Sequence, residues 1–148
     1  MEGASAVYKV YGSLRLVGEL DKEAFEKSLD ELTQRHEAFR TAFKEEQGIP
    51  YQIVYPSVKL ALPLENLSEH GSNAEDVLKR RMRELSEEVF DLTRAPLLKV
   101  VLFRLSETEH VFFFMTHHIV FDGWSSGIVL RELCELYQAN CDVRVHTL

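Results

Sequence analysis

Cysteine is scarce in this chain: Cys134 and Cys141 are the only two in 148 residues. Two thiols supply neither a disulfide framework nor a four-ligand zinc site, so an apolar core must hold the fold, and a reducing cytoplasm is the default setting. Long hydrophobic runs are missing too, and none reaches the roughly 20 residues that a membrane-spanning helix needs. Met1–Ser5 shows no basic stretch leading into an apolar one, so no signal peptide is expected. Positive charge is the minority sign, with 17 Lys and Arg against 24 Asp and Glu, a net −7. An acidic surface argues against nucleic acid and anionic membranes as main partners. Internal repeats, low-complexity segments and linkers are also absent. What is present is 45% hydrophobic and 28% charged, enough for the core of one domain or of part of a larger one.

The apolar pattern changes period along the chain. Val7 to Val17 alternates loosely and predicts a strand, broken at Gly18. Asp21 is a good helix N-cap, with Leu20 and Phe25 placed to staple around it. Phe25, Leu29, Leu32 and His36 then fall on one helical face. Ala38 to Glu45 alternates again and predicts a strand. A turn at Gln47-Gly48 and a partner strand over Tyr51–Tyr55 complete a hairpin. Val58, Leu60 and Leu62 suggest another short strand ending at Pro63. Ser72 and Glu75 fit a capping box ahead of a helix whose apolar face is Leu78, Met82, Leu85 and Val89. Its run of Lys79, Arg80, Arg81 and Arg83 predicts a solvated face. Leu97–Leu105 and Val111–His118 read as two strands around a turn at Glu107–Glu109. The second is apolar on both faces and so should be central in the sheet. From Gly123 a helix is expected, with Trp124, Ile128, Leu133, Leu136 and Tyr137 as its stripe, fading from Asn140.

Titratable groups collect where the last strand gives way to that helix, in His117-His118-Ile119-Val120-Phe121-Asp122-Gly123-Trp124-Ser125. Strand ends of this kind commonly carry sites in α/β sheets. Adjacent strand residues point to opposite faces, so the two histidines cannot do the same job, and spacing does not say which one faces a cavity. A neutral imidazole suits proton transfer near neutral pH. Asp122 either orients or balances a catalytic group or caps the next helix by accepting from the N–H near Ser125. Buried, it would want a cationic partner. Gly123 permits close backbone approach at a helix start, where developing negative charge is favoured. A metal site is disfavoured because neighbouring histidines facing opposite ways do not easily chelate one ion. A serine-hydrolase elbow around Ser125 is set aside because that serine would lie beside the histidine's strand rather than being placed by it.

The stretch His117–Gly123 resembles the His-His-x-x-x-Asp-Gly signature of condensation domains of nonribosomal peptide synthetases, within the chloramphenicol-acetyltransferase-like superfamily. Arg35-His36-Glu37-Ala38-Phe39-Arg40-Thr41 is similar to a second motif of that family, with Phe39 in place of its leucine. Phe90-Asp91-Leu92 followed by Pro96-Leu97 is similar to a third. The three occur in the family's order and the likeness covers nearly the whole chain. It implies an α/β sandwich half-domain, with a mixed, mostly antiparallel sheet and about three helices packed on it. Residues 1–148 would be the N-terminal subdomain, without the family's opening segment or its C-terminal subdomain.

The resemblance also implies a reaction: the amine of a carrier-bound aminoacyl thioester attacks a carrier-bound acyl or peptidyl thioester and an amide forms. By motif position His118 is the catalytic residue, as base or as amine-positioning group. His117 and Asp122 support it, Asp122 pairing with Arg40, and Gly123 lies beside the reacting thioester. Trp124 and Ser125 resemble peptide-bond-forming members rather than epimerising ones, and His117 stands where a cyclising domain would have aspartate. No cofactor is implied within the domain, because the substrates arrive on phosphopantetheine arms. The implied partners are donor and acceptor peptidyl carrier proteins, the C-terminal condensation subdomain and an adenylation domain. Without its facing half the chain is expected not to condense substrates alone and to self-associate through an uncovered apolar surface. The alternatives are a non-catalytic carrier-binding or scaffolding module and a stand-alone acyltransferase using a small thioester such as a coenzyme A ester.

Overall fold

The structure is a computed structural model that describes residues 9–117 and 126–146. Strand β1 (Lys9–Val17) is followed by helix α1 (Lys22–Arg35) and a 3-10 turn over Glu37–Arg40. Strands β2 (Thr41–Glu46) and β3 (Ile49–Val54) form a separate antiparallel hairpin. Strand β4 (Leu64–Asn66), a 3-10 stretch over Ser68–Asn73 and helix α2 (Ala74–Ser86) come next. Strands β5 (Leu98–Ser106) and β6 (Glu109–His117) precede helix α3 (Ser126–His146). The main sheet has the order β1-β6-β5-β4; β6 is antiparallel to both neighbours, and β4 lies parallel to β5.

The sheet is covered on both faces, which is why β6 carries Val111 to Met115 without a polar break. Even-numbered Phe112 and Phe114 meet Phe25, Leu29 and Leu32 of α1 and Leu133 and Leu136 of α3. Odd-numbered Val111, Phe113 and Met115 meet Leu78 and Leu85 of α2. Each buried large apolar side chain of this kind contributes about 1.5–3 kcal/mol. The Phe114 ring lies over Gly12 of β1, where a Cβ would come within 3.0 Å of Cζ. Any side chain there would have to displace a core phenylalanine. Asp21 caps α1 as expected, its carboxylate accepting from the Ala24 N–H at 3.1 Å. The β2–β3 turn places Gln47 at φ 51° and Gly48 at φ 79°, the two positive values that a tight hairpin of this hand needs.

Several local expectations are corrected. Ala38–Arg40 is not strand: the chain makes a 3-10 turn first, closed by the Thr41 hydroxyl donating to the Glu37 carbonyl at 2.8 Å, and β2 starts at Thr41. Val58–Leu62 alternates as read, yet among the described residues pairs with no strand; Leu60 and Leu62 lean on the core from outside the sheet. The pairing comes after Pro63, whose carbonyl accepts from the Leu102 N–H at 2.9 Å. Ser72 does not cap α2. Gly71, at φ 55°, kinks the preceding turn; Asn73 takes the cap position without a side-chain bond, and Glu75 pairs with Arg15 instead. Val89 lies past the end of α2 and is exposed. On α3 the inward residue is Val129 rather than Ile128, and the helix continues beyond Asn140 to His146.

Candidate functional site

Strand β6 delivers His117 as its last residue at the middle of the sheet. That end is fixed by Leu97, whose carbonyl accepts from the Thr116 hydroxyl at 2.7 Å and from the His117 N–H at 3.4 Å. The His117 residue is only 4% exposed. It continues the odd-numbered row that faces α2, and its ring meets the edge of Phe90 at a centroid distance of 6.3 Å and an interplanar angle of 82°. This histidine is thus packed in the α2 layer, behind the sheet as seen from α1 and α3. His118, Asp122, Gly123, Trp124 and Ser125 lie outside the described residues, and so does the expected pairing of Arg40 with Asp122.

Arg40 ends the 3-10 turn at 8% exposure, and its described partners are all backbone carbonyls. Nε donates to Thr33 at 3.1 Å and Nη2 to Gln34 at 3.2 Å, both in the last turn of α1. Nη1 donates to Tyr55 at 2.5 Å and Pro56 at 3.4 Å, just past β3. The last carbonyls of a helix lack intrahelical donors and carry the negative end of its dipole, so a cation satisfies both needs there. One guanidinium thereby ties the end of α1 to the exit of the hairpin.

The same motif reaches α3, a contact that reading the sequence missed. His36 Nε2 lies 2.9 and 3.0 Å from the two carboxylate oxygens of Glu132, and Arg35 Nη1 donates to Glu132 at 2.9 Å. Burial pushes the Glu132 carboxyl up, but the hydrogen bonds from His36 and Arg35 outweigh it and hold the group below the ordinary carboxylate range. The available signal was positional: Glu132 neighbours Leu133 on the first helix after the signature. The third motif closes the set. The Asp91 carboxylate accepts from the Thr93 hydroxyl at 2.6 Å and its N–H at 3.0 Å, contacts that lower its pKa. The Leu92 carbonyl accepts from the Phe43 N–H of β2 at 2.7 Å. Residues 35–41, 90–92 and 117, scattered in sequence, are therefore joined through α1, the hairpin and the end of β6. This is a scaffold that fixes where the chain beyond His117 starts and where α3 lies. Among the described residues, no helix is long and apolar enough to cross a membrane.

Comparison with known proteins places this scaffold. The sequence profile described as "Condensation domain" matches residues 1–144. The chain is 40% identical over 140 residues to Chondramide synthase cmdD of Chondromyces crocatus, covering 94% of this chain and 4% of that protein. Among solved structures it is similar to the first condensation domain of the calcium-dependent antibiotic synthetase in complex with a substrate analogue. There the TM-score is 0.83 at 27% identity, over 95% of this chain and 34% of that one. It is also similar to a complex of the X-domain and OxyB from teicoplanin biosynthesis, with a TM-score of 0.77 at 31% identity over 91% of this chain and 28% of that one. The chain thus spans a small fraction of the synthase and about a third of a solved condensation domain. With its α/β layers, mostly antiparallel sheet and match along nearly its full length, the chain belongs to the condensation-domain family of nonribosomal peptide synthetases.

Proposed function

We propose that the parent of this chain joins a carrier-bound acyl or peptidyl thioester to a carrier-bound aminoacyl thioester, and that this chain brings the histidine on which the step depends. The acceptor amine attacks the thioester carbonyl, the C–N bond forms and the C–S bond breaks. The amine's proton ends on the departing thiol. His118 serves as base or as the group that positions the amine, Gly123 lies beside the thioester, and Asp122 supports the histidine. Trp124 and Ser125 give structural support. The observation that carries this reading is the burial of His117 against Phe90 in the α2 layer. With that ring committed to packing, alternation leaves His118 for the opposite face. The domain itself needs no cofactor, since phosphopantetheine arms of carrier proteins bring both substrates. The C-terminal condensation subdomain supplies the facing wall, an adenylation domain loads the acceptor carrier, and the enzyme works in the cytoplasm.

The test is His118→Ala in the full-length parent with both carriers loaded. Loss of dipeptidyl product by about 10²–10⁴-fold, with folding unchanged, is the expected result for a general base. Unchanged turnover would overturn it and favour the second reading, a binding module that keeps the fold. That reading draws on the likeness to an X-domain solved in complex with OxyB. Residues 1–148 alone, mixed with loaded carriers, should give no product.

A further inference from the structure

We propose that the hollow between β2, the segment after β3 and the loop before β5 is a binding site for a phosphate group. The cavity is about 510 Å³ and is lined by Lys44, Tyr55, Ser57, Lys59, Thr93 and Arg94, with Val58 and Ala95. Three cations and three hydroxyl-bearing side chains thus converge from three separate stretches of chain. No carboxylate lines it, although acids outnumber bases 24 to 17 in the whole chain. Among the described residues Lys44 has no ion-pair partner, and Arg94 has only Asp91 at 3.8 Å, its side chain 86% exposed. Like charges held around one hollow repel each other, and a compact dianion relieves that repulsion while accepting from the Tyr55 and Ser57 hydroxyls, the Thr93 hydroxyl being given to Asp91. The walls are set without help from a ligand. Arg40 grips the Tyr55 and Pro56 carbonyls, the Tyr55 N–H donates to the Arg40 carbonyl at 2.8 Å, and the Phe43 N–H holds Leu92. None of its lining residues lies on β6, and the site does not depend on the condensation reading.

The measurement is a titration of the whole chain with inorganic phosphate at constant ionic strength, against sodium chloride, following the amide resonances of Ser57, Val58, Thr93 and Arg94. Saturable shifts with phosphate alone are expected. Lys44→Gln/Lys59→Gln/Arg94→Gln should weaken binding about tenfold, since it removes three modest charge interactions together. Lys27→Gln/Lys79→Gln/Arg83→Gln removes the same charge elsewhere and should bind as the parent does. Arg94→Gln alone, at an exposed position, should weaken binding measurably and keeps the test open if the triple variant unfolds. A parallel titration with 4′-phosphopantetheine separates the sources: equal affinity indicates a free phosphate ester, and tighter binding a phosphate carried on an arm. Shifts that chloride reproduces, no saturation, or unchanged affinity in both Arg94→Gln and a folded triple variant would overturn the site. None of these readouts involves condensation, so failure here leaves the His118 test untouched.

Discussion

Arg40 ties two elements together with one side chain. Its guanidinium satisfies carbonyls at Thr33, Gln34, Tyr55 and Pro56, two on each side of a junction between elements. Arg40→Met keeps the stem's volume but leaves these acceptors without the donor. Hydrogen bonds from a charged donor contribute about 1.5–3 kcal/mol each, partly recovered by water at this edge. The expected loss is about 2–4 kcal/mol, read as a lower urea midpoint at unchanged slope. Arg40→Lys should recover only part of it, because a single ammonium cannot span both junctions. At this scale the sequence was informative about residue types and less so about partners. It marked Arg40, His117 and Phe90, and alternation split the histidine pair. Four backbone carbonyls carry no side-chain label, so nothing in the sequence named them as Arg40's partners. Nor did the sequence show that Glu132, nearly a hundred residues away, returns to His36.

The contact between α1 and α3 is where the second motif meets the helix that follows the signature. Its polar part is Glu132 with His36 and Arg35, supplemented by the Asn140 amide on Ser28 at 2.9 Å and the Asp21 N–H on the Tyr137 hydroxyl at 3.0 Å. Glu132→Gln keeps the shape and removes the charge, and should cost about 1–3 kcal/mol near neutral pH. The pH dependence follows from the lowered carboxyl pKa. A depressed folded-state pKa gives stability that is present above the unfolded value of about 4.5 and is lost as pH falls through the folded one. The gap between parent and variant in thermal melts should therefore persist down to about pH 5 and close below pH 4.5; a gap unchanged at pH 3 would contradict the assignment. Elements with a long apolar period were legible: α1 with its Asp21 cap, and β5 and β6 with the central position of β6. Short ones were not. A single 3-10 turn at Glu37–Arg40 shows the same alternation as a strand. The apolar residues of 58–62 alternate because they lean on the core, and alternation does not distinguish leaning from pairing. The one-residue phase error on α3, Ile128 for Val129, arose because the stripe was anchored on Trp124 ahead of the described helix.

The whole molecule is organised by two strands that belong to both cores. Phe112 and Phe114 of β6 serve the α1–α3 side, and Phe113 and Met115, one residue away, serve the α2 side. Strand β5 is shared in the same way, with Val100 and Leu102 on one face and Val101 and Phe103 on the other. Neither helical layer can leave without exposing one face of strands that the other layer needs in place, so the two layers should not melt separately. Phe113→Ala tests this from one side. The ring is 1% exposed, and its removal should cost about 3–5 kcal/mol. If the layers are coupled, the melting midpoints read by far-UV circular dichroism, which follows the helices of both layers, and by the ring resonances of Tyr137 on α3, across the sheet from Phe113, fall by the same number of degrees in one coincident transition. An early loss of part of the helical signal, with the Tyr137 transition unmoved, would mean that α2 unfolds by itself. The coupling also bears on the site. His117 lies on the α2 face while α3 packs on the other, so the end of β6 and helix α3 are each held by a different layer, and damage to either core should shift one against the other.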